Sequence, residues 1–167
     1  KAHPPAYRRQ GQDVYKGQAL NTATANGADY ADIRISRHKN QSIRTRENRI
    51  QGISNSESYG FGVRVLVDGT WGFAASHRLT KNNIAKITMR ALEIARANRF
   101  VQSIPIRLAE VESYDAQWDS PIKKDPFQVP INEKIDLLLT VNAEALKIKG
   151  AKYCSSSMLF MNEDKHF

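Results

Sequence analysis

A chain of 167 residues, 41% of them hydrophobic and a quarter charged, has room for one globular domain with a substantial core. No apolar run approaches the roughly 20 residues a membrane-spanning helix needs, and a single cysteine, Cys154, excludes an internal disulfide framework. The formal net charge of +8 favours acidic partners through steering and does not decide the fold.

Residues 1–12 carry two prolines and scattered polar residues without a period, which predicts an N-terminal arm. The first residue is Lys1 and not Met, so a preceding piece is expected, and a signal peptide there would leave nothing to read. The domain proper is expected over 13–167. Asp13 is placed to cap a helix carrying Val14, Leu20 and Ala23, which stops at Asn26-Gly27. Ala31, Ile33 and Ile35 alternate with polar residues as a strand. Lys39-Asn40 reads as a turn, Ser42 to Arg46 as the returning strand, Glu47-Asn48 as a second turn, and Ile50 to Ile53 as a third strand.

Tyr59, Phe61, Val63, Val65 and Val67 alternate next, and Asp68-Gly69 supplies the positive φ that a type I′ turn needs at both central positions. Thr70 to Ala74 completes that hairpin, giving a meander of about five strands. Thr80 then caps a helix with an apolar stripe of Ile84, Ile87, Ala91, Ile94 and Ala95. A short strand from Ile104 to Val111 and a proline-punctuated crossing lead to a third helix beginning at Pro130. Its stripe is Ile131, Ile135, Leu138, Leu139, Ala145 and Leu146, and it stops at Lys149-Gly150. Tyr153 to Met161 reads as a strand and Asn162 to Asp164 as its turn.

The class is therefore α+β (α/β): an antiparallel meander sheet packed by two or three helices. Helix, Gly-Ala-x-Tyr, strand and polar turn occur at 27–40 and again at 150–164, a weak helix–hairpin repeat. The second return strand is barely begun at Phe167, which predicts a fragment of a longer protein, truncated at its C-terminal end.

No catalytic set is legible. His3, His38, His77 and His166 are scattered, without HExxH, CxxC or a carboxylate cluster, and the turn histidines read as solvated. Cys154 sits in an alternating run as a small buried group. Ser155-Ser156-Ser157 lies in a strand and not on a nucleophile elbow, Gly60-x-Gly62 precedes no helix, and Asp29 and Asp32 read as solvated acids. Arg34, Arg37, Lys39, Arg44, Arg46 and Arg49 gather on the first hairpin, a basic surface suited to phosphate contacts but without interleaved aromatics for base stacking.

Several stretches together resemble the TldD–PmbA family, the "modulators of DNA gyrase" known as metalloproteases. They are GADYADIR (27–34), IRTRENRIQGI (43–53), GFGVRVLVDGTWGFAA (60–75) followed by a helix starting Leu79-Thr80, ALEIARAN (91–98), and the run from Ile104 to Leu139. The resemblance spans about residues 13–167 and is nearer to the TldD half. It implies the N-terminal domain of a two-domain zinc peptidase. The metal would be held by a HExxxH helix beyond this region, and the motif glutamate would serve as base for zinc-activated water. No histidine here matches that motif, so no metal or catalytic residue carries over.

What the resemblance leaves to this region is a substrate wall, where sheet edges add an extended unfolded peptide as a strand, the Gly60-x-Gly62 strand being one candidate. It also implies a homo-dimer, or a hetero-dimer with a PmbA-like subunit, in the cytoplasm or, with a leader removed, exported. The alternative reading is a stand-alone binding module for nucleic acid or an acidic protein, through Arg34, Arg37, Arg44, Arg46 and Arg49.

Overall fold

The computed structural model describes residues 6–112 and 115–167. The first helix, α1 (Ala6–Ala25), starts seven residues before Asp13. Residues 6–12 therefore belong to a helix, in place of the expected arm, and residues 1–5 lie outside the described residues. The sequence Ala-Tyr-Arg-Arg-Gln consists largely of good helix formers and follows two prolines, so helix propensity serves there where an apolar period is missing. Ala19 and Ala23 are the buried residues of its far half, whereas Val14 and Leu20 are half exposed. Small residues on that face let the helix approach closely. The helix stops where Gly27 takes φ 79°, as expected from Asn26-Gly27.

Two long strands follow, β1 (Tyr30–Arg46) and β2 (Arg49–Val67), then a short β3 (Thr70–Ser76). The Asp68-Gly69 turn is as read, with φ of 49° and 73°, and sets β2 against β3 from Val67 opposite Thr70 to Phe61 opposite Ser76. Helix α2 (Lys81–Asn98) is capped by Thr80, whose hydroxyl accepts from the Asn83 amide at 3.4 Å. Helix α3 (Ile131–Leu146) precedes the last strand, β4 (Ser155–His166). The sheet order is β3-β2-β1-β4.

Three expected features are corrected. Lys39-Asn40 is not a turn, so the two short strands on either side of it are one strand, β1, and likewise Ile50 to Val67 is continuous in β2. The meander thus has three strands and not five. Asn162 to Asp164 is not a turn either; β4 runs through it, and Glu163 pairs with His38 of β1 at 3.2 Å. The reason is common to both: β1 has a neighbour on each side, so leaving the ladder at a polar pair would strand hydrogen-bonding groups that extension satisfies. The stretch from Ile104 to Val111 is irregular, because Pro105 has no N–H to give a ladder. Its tie to the sheet edge is the Ile106 amide donating to the Gly69 carbonyl at 2.8 Å.

The helix–strand half of the repeat stands, with Gly150 at φ 98° ending the α3 segment as Gly27 ends α1, while the hairpin half does not occur in either copy.

The chain forms two compact units, the first comprising residues 1–37, 58–111 and 164–167, the second residues 38–57 and 112–163. In the first, α1 and α2 cover the odd-numbered side chains Ile33, Ile35, Val63 and Val65, all at most 2% exposed. Gly72 is required there: a Cβ on it would lie 2.0 Å from the Ala91 carbonyl oxygen of α2. The second unit has a smaller apolar core of Ile43, Ile135 and Leu138, with Ile131, Leu139 and Met158 beside it. Here α3 turns two polar residues inward, Lys134 and Asn142, neither of which belongs to the stripe expected from sequence.

Candidate functional site

In the first unit the face of the sheet opposite the helices carries a charged and aromatic group. Asp32 accepts from Arg64 Nε at 2.8 Å and pairs with Nη2 at 2.7 Å, both on Oδ2. Arg64 lies 4.6 Å from the Trp71 ring centroid, and Tyr30 meets Trp71 edge-on at 5.8 Å. The hydrogen bond that Arg64 donates to Asp32 holds the Arg64 pKa above its ordinary value, against the opposing effect of partial burial. Phe73 lies over Gly62, whose missing Cβ leaves room for the ring 2.7 Å from where that carbon would be. Asp29 is engaged elsewhere, accepting from the Asp68 amide at 2.7 Å, so Asp29 and Asp32 do not form a carboxylate pair.

In the second unit Asn142 satisfies its whole carboxamide. Its nitrogen donates to Thr45 Oγ1 at 3.1 Å and the Glu47 carbonyl at 3.0 Å. Its oxygen accepts from Ser156 Oγ at 2.5 Å and Cys154 Sγ at 3.3 Å. Cys154 and Ser156 are thereby placed as structural donors to Asn142. The same network holds Glu47 at φ 53°, where its amide donates to the Cys154 carbonyl at 2.7 Å. Lys134, 4% exposed, donates to Gln41 Oε1 at 2.5 Å and sits 4.6 Å from the Phe160 ring.

The arginines expected on one hairpin lie instead along β1 and the start of β2. Arg34, Arg44 and Arg46 share even parity on β1, Arg37 has odd parity, and Arg49 opens β2. With no turn at 39–40, Arg34 and Arg44 are ten residues apart along one strand, not opposite each other across a turn. Arg34 pairs with Asp32 at 3.4 Å and covers the Phe167 ring at 5.3 Å; Arg37 is also engaged. Arg46 pairs with Glu47 at 3.5 Å and covers the Tyr153 ring at 5.8 Å. Arg44 passes over Gly52, its guanidinium 3.6 Å from where a Cβ would be. The aromatic partners that β1 lacks in sequence thus come from the residues flanking β4, Tyr153 before it and Phe167 after it, a pairing with no local sequence signal.

Among the described residues no three His, Cys, Asp or Glu side chains come together to hold a metal. His38 with Glu163 offers two donors and no third, so the residues present do not fit a zinc ion. No helix among the described residues is long and apolar enough to cross a membrane.

These features define an α+β domain that presents long strands and an aromatic–arginine face. Residues 31–95 match the model of PmbA/TldA metallopeptidase domain 1. A metalloprotease of Methanocaldococcus jannaschii is 29% identical over 111 residues, covering 66% of this chain and 25% of that protein. One from Methanothermobacter thermautotrophicus is 24% identical over 139 residues, covering 83% of this chain and 29% of that protein.

Two solved structures share the fold. One, from Bacteroides thetaiotaomicron and described as a candidate modulator of DNA gyrase, has a TM-score of 0.63 at 18% identity over 92% of this chain and 38% of its own. TldE of Thermococcus kodakarensis has a TM-score of 0.65 at 10% identity over 91% of this chain and 34% of its own. The chain thus resembles the PmbA/TldA metallopeptidases, with residues 31–95 similar to their first domain. It spans 25% and 29% of the length of the two curated relatives.

Proposed function

We propose that this chain is the N-terminal, non-catalytic part of a zinc metallopeptidase that degrades or processes unfolded peptides, contributing substrate-cleft and dimer surfaces. The observation that carries the reading is the match of residues 31–95 to the first domain of a metallopeptidase family. It is supported by relatives named metalloproteases that are about four times the length of the matched region. Zinc and the catalytic base would come from the rest of the polypeptide, and the work would be done in the cytoplasm.

This region's own part is physical. β4 is a 12-residue strand with no neighbour on its outer side among the described strands. Such an edge gives an extended peptide main-chain hydrogen bonds independent of its side chains, the recognition a peptidase for unfolded chains needs. The test is made on the longer protein that contains this domain. It should bind one zinc per chain and cleave an unfolded peptide, while the 167-residue chain alone does neither. A full-length product without zinc and without peptidase activity sinks the reading.

A second reading, a binding module for nucleic acid or an acidic protein, is favoured by Arg34 over Phe167 and Arg46 over Tyr153, which bring rings to the guanidinium groups. It expects salt-sensitive binding of single-stranded nucleic acid that weakens about tenfold or more in R44E/R46E. Binding indifferent to salt and to both substitutions eliminates it.

A further inference from the structure

We infer that residues 102–106 form a strap that opens and closes as one piece over the Asp68-Gly69 turn, without unfolding of the core, and that its closure fixes where the crossing toward α3 begins. The inference is independent of the function proposed above.

The strap is tied at Gly69. The Gly69 carbonyl oxygen has two lone pairs and accepts twice, from Gln102 Nε2 at 2.7 Å and from the Ile106 amide at 2.8 Å. Gln102 Nε2 also donates to the Ile104 carbonyl at 2.8 Å, which folds the strap back on itself. Pro105 lies against Gly69, its Cβ 2.6 Å from where a Cβ on Gly69 would be. Gly69 therefore serves twice, taking the φ of 73° that the turn requires and leaving room for the proline ring. Beside it Arg99 pairs with Asp68 at 2.7 Å, and both side chains are more than half exposed.

Apolar burial contributes little to this closure. Phe100, Val101 and Ile104 are 91%, 81% and 79% exposed, and Ile106 is exposed over 37% of its surface. What holds the strap is a few polar contacts that water replaces at small net cost. The end of α2 is held without it. Asn98 Nδ2 donates to the Trp71 carbonyl at 3.1 Å and Arg96 Nη2 to the Asn26 carbonyl at 2.7 Å, while Ala91 and Ala95 are buried against Gly72. A segment tied by few polar contacts beside an element seated on a packed core opens first and by itself.

Among the described residues from 107 to 124 no backbone group bonds to another. The next tie is Asp125, whose carboxylate accepts from the Phe127 amide at 2.9 Å. Gly69 is accordingly the last fixed point before the crossing. Opening the strap adds residues 102–106 to the free length, roughly 17 Å when extended.

The test is native-state amide exchange of the 167-residue chain over a series of low denaturant concentrations. The Ile106 amide should exchange about a hundredfold or more faster than those of Val65 and Ala95. Its rate should hardly depend on denaturant, the mark of an opening that exposes little surface. Gln102→Ala should speed Ile106 exchange about tenfold. Gln102→Glu keeps the size but cannot donate, so it should speed exchange at least as much, with Ala95 unchanged in both variants. Far-UV circular dichroism establishes that each variant is folded, and the comparison within the unsubstituted chain stands whatever the variants do.

Ile106 exchanging at the rate of Ala95, with the same denaturant dependence, overturns the inference, since strap and core would then open together. Ile106 exchange indifferent to both substitutions overturns it as well, as does a speeding of Ala95 equal to that of Ile106 in a folded variant.

Discussion

The two units of this chain reach order by different means. The first buries twelve apolar side chains between the sheet and two helices, beside the hydroxyls of Thr70 and Thr88. The second buries only three and surrounds them with Thr45, Lys134 and Asn142. Burial at about 25 cal/mol per Å² is non-directional, so the first core depends on volume and close approach more than on particular partners. The second depends on geometry, because each buried polar atom must keep its partner or forfeit its desolvation cost. The unit with the thinner apolar core is the one whose order depends on keeping specific polar partners.

That contrast can be broken most severely at Gly72. Gly72→Ala sets a methyl against the Ala91 carbonyl and the Ala95 side chain, and α2 has to move away from β3. A loss of about 3 kcal/mol or more is expected, read as a lowered denaturation midpoint, with amide protection falling in α2. The opposite outcome, a stability unchanged by the methyl, would mean that α2 is not seated on the sheet as described.

Next comes Asn142→Ala, which deprives the Glu47 carbonyl and the Ser156 hydroxyl of their partner. We expect a loss of about 2 kcal/mol, with increased exchange confined to α3, β4 and the 46–49 turn. Asn142→Leu, of similar size, should not rescue it; rescue would show the site to be a matter of volume.

Asp32→Asn should cost less, under about 1 kcal/mol, because Arg64 is partly exposed and water screens the pair. A near-ultraviolet change from Trp71 is expected with it, since Arg64 is positioned over that ring. The smallest effect, and the one of unusual sign, is Lys134→Met. It removes a buried ammonium whose partners are an amide oxygen and a ring, so stability should stay level or rise by up to about 1 kcal/mol. A clear loss would mean that the ammonium is compensated better than its neighbours indicate.

Much of the scaffold was legible beforehand. Asp68-Gly69, Thr80, and the glycines at 27 and 150 act locally, each through φ or a capping oxygen within three residues, and each performs its expected role. The strands were legible as strands but not in length, because polar pairs such as Lys39-Asn40 signal a turn only when no neighbour stands ready to complete the ladder. The helix stripes were read in part: Ile84, Ala91, Ala95, Ile135 and Leu138 are buried as expected, but Thr88, Lys134 and Asn142 are buried too. A polar residue faces inward only when partners wait there, and Asn142 finds its partners 95 and 97 residues away, at Glu47 and Thr45.

The amino-acid sequence alone thus determined the α+β class, the hairpin at 68–69, the stop of the first helix, the cap of the second and the likeness to a peptidase family, since these follow from local stereochemistry and from runs of residues. Only the tertiary structure decided that β1, β2 and β4 are long strands, that Arg34 and Arg46 find rings on distant segments and that Asn142 organises the second unit. Each of these depends on which backbone and side-chain groups meet across long separations, and no period in the sequence encodes that.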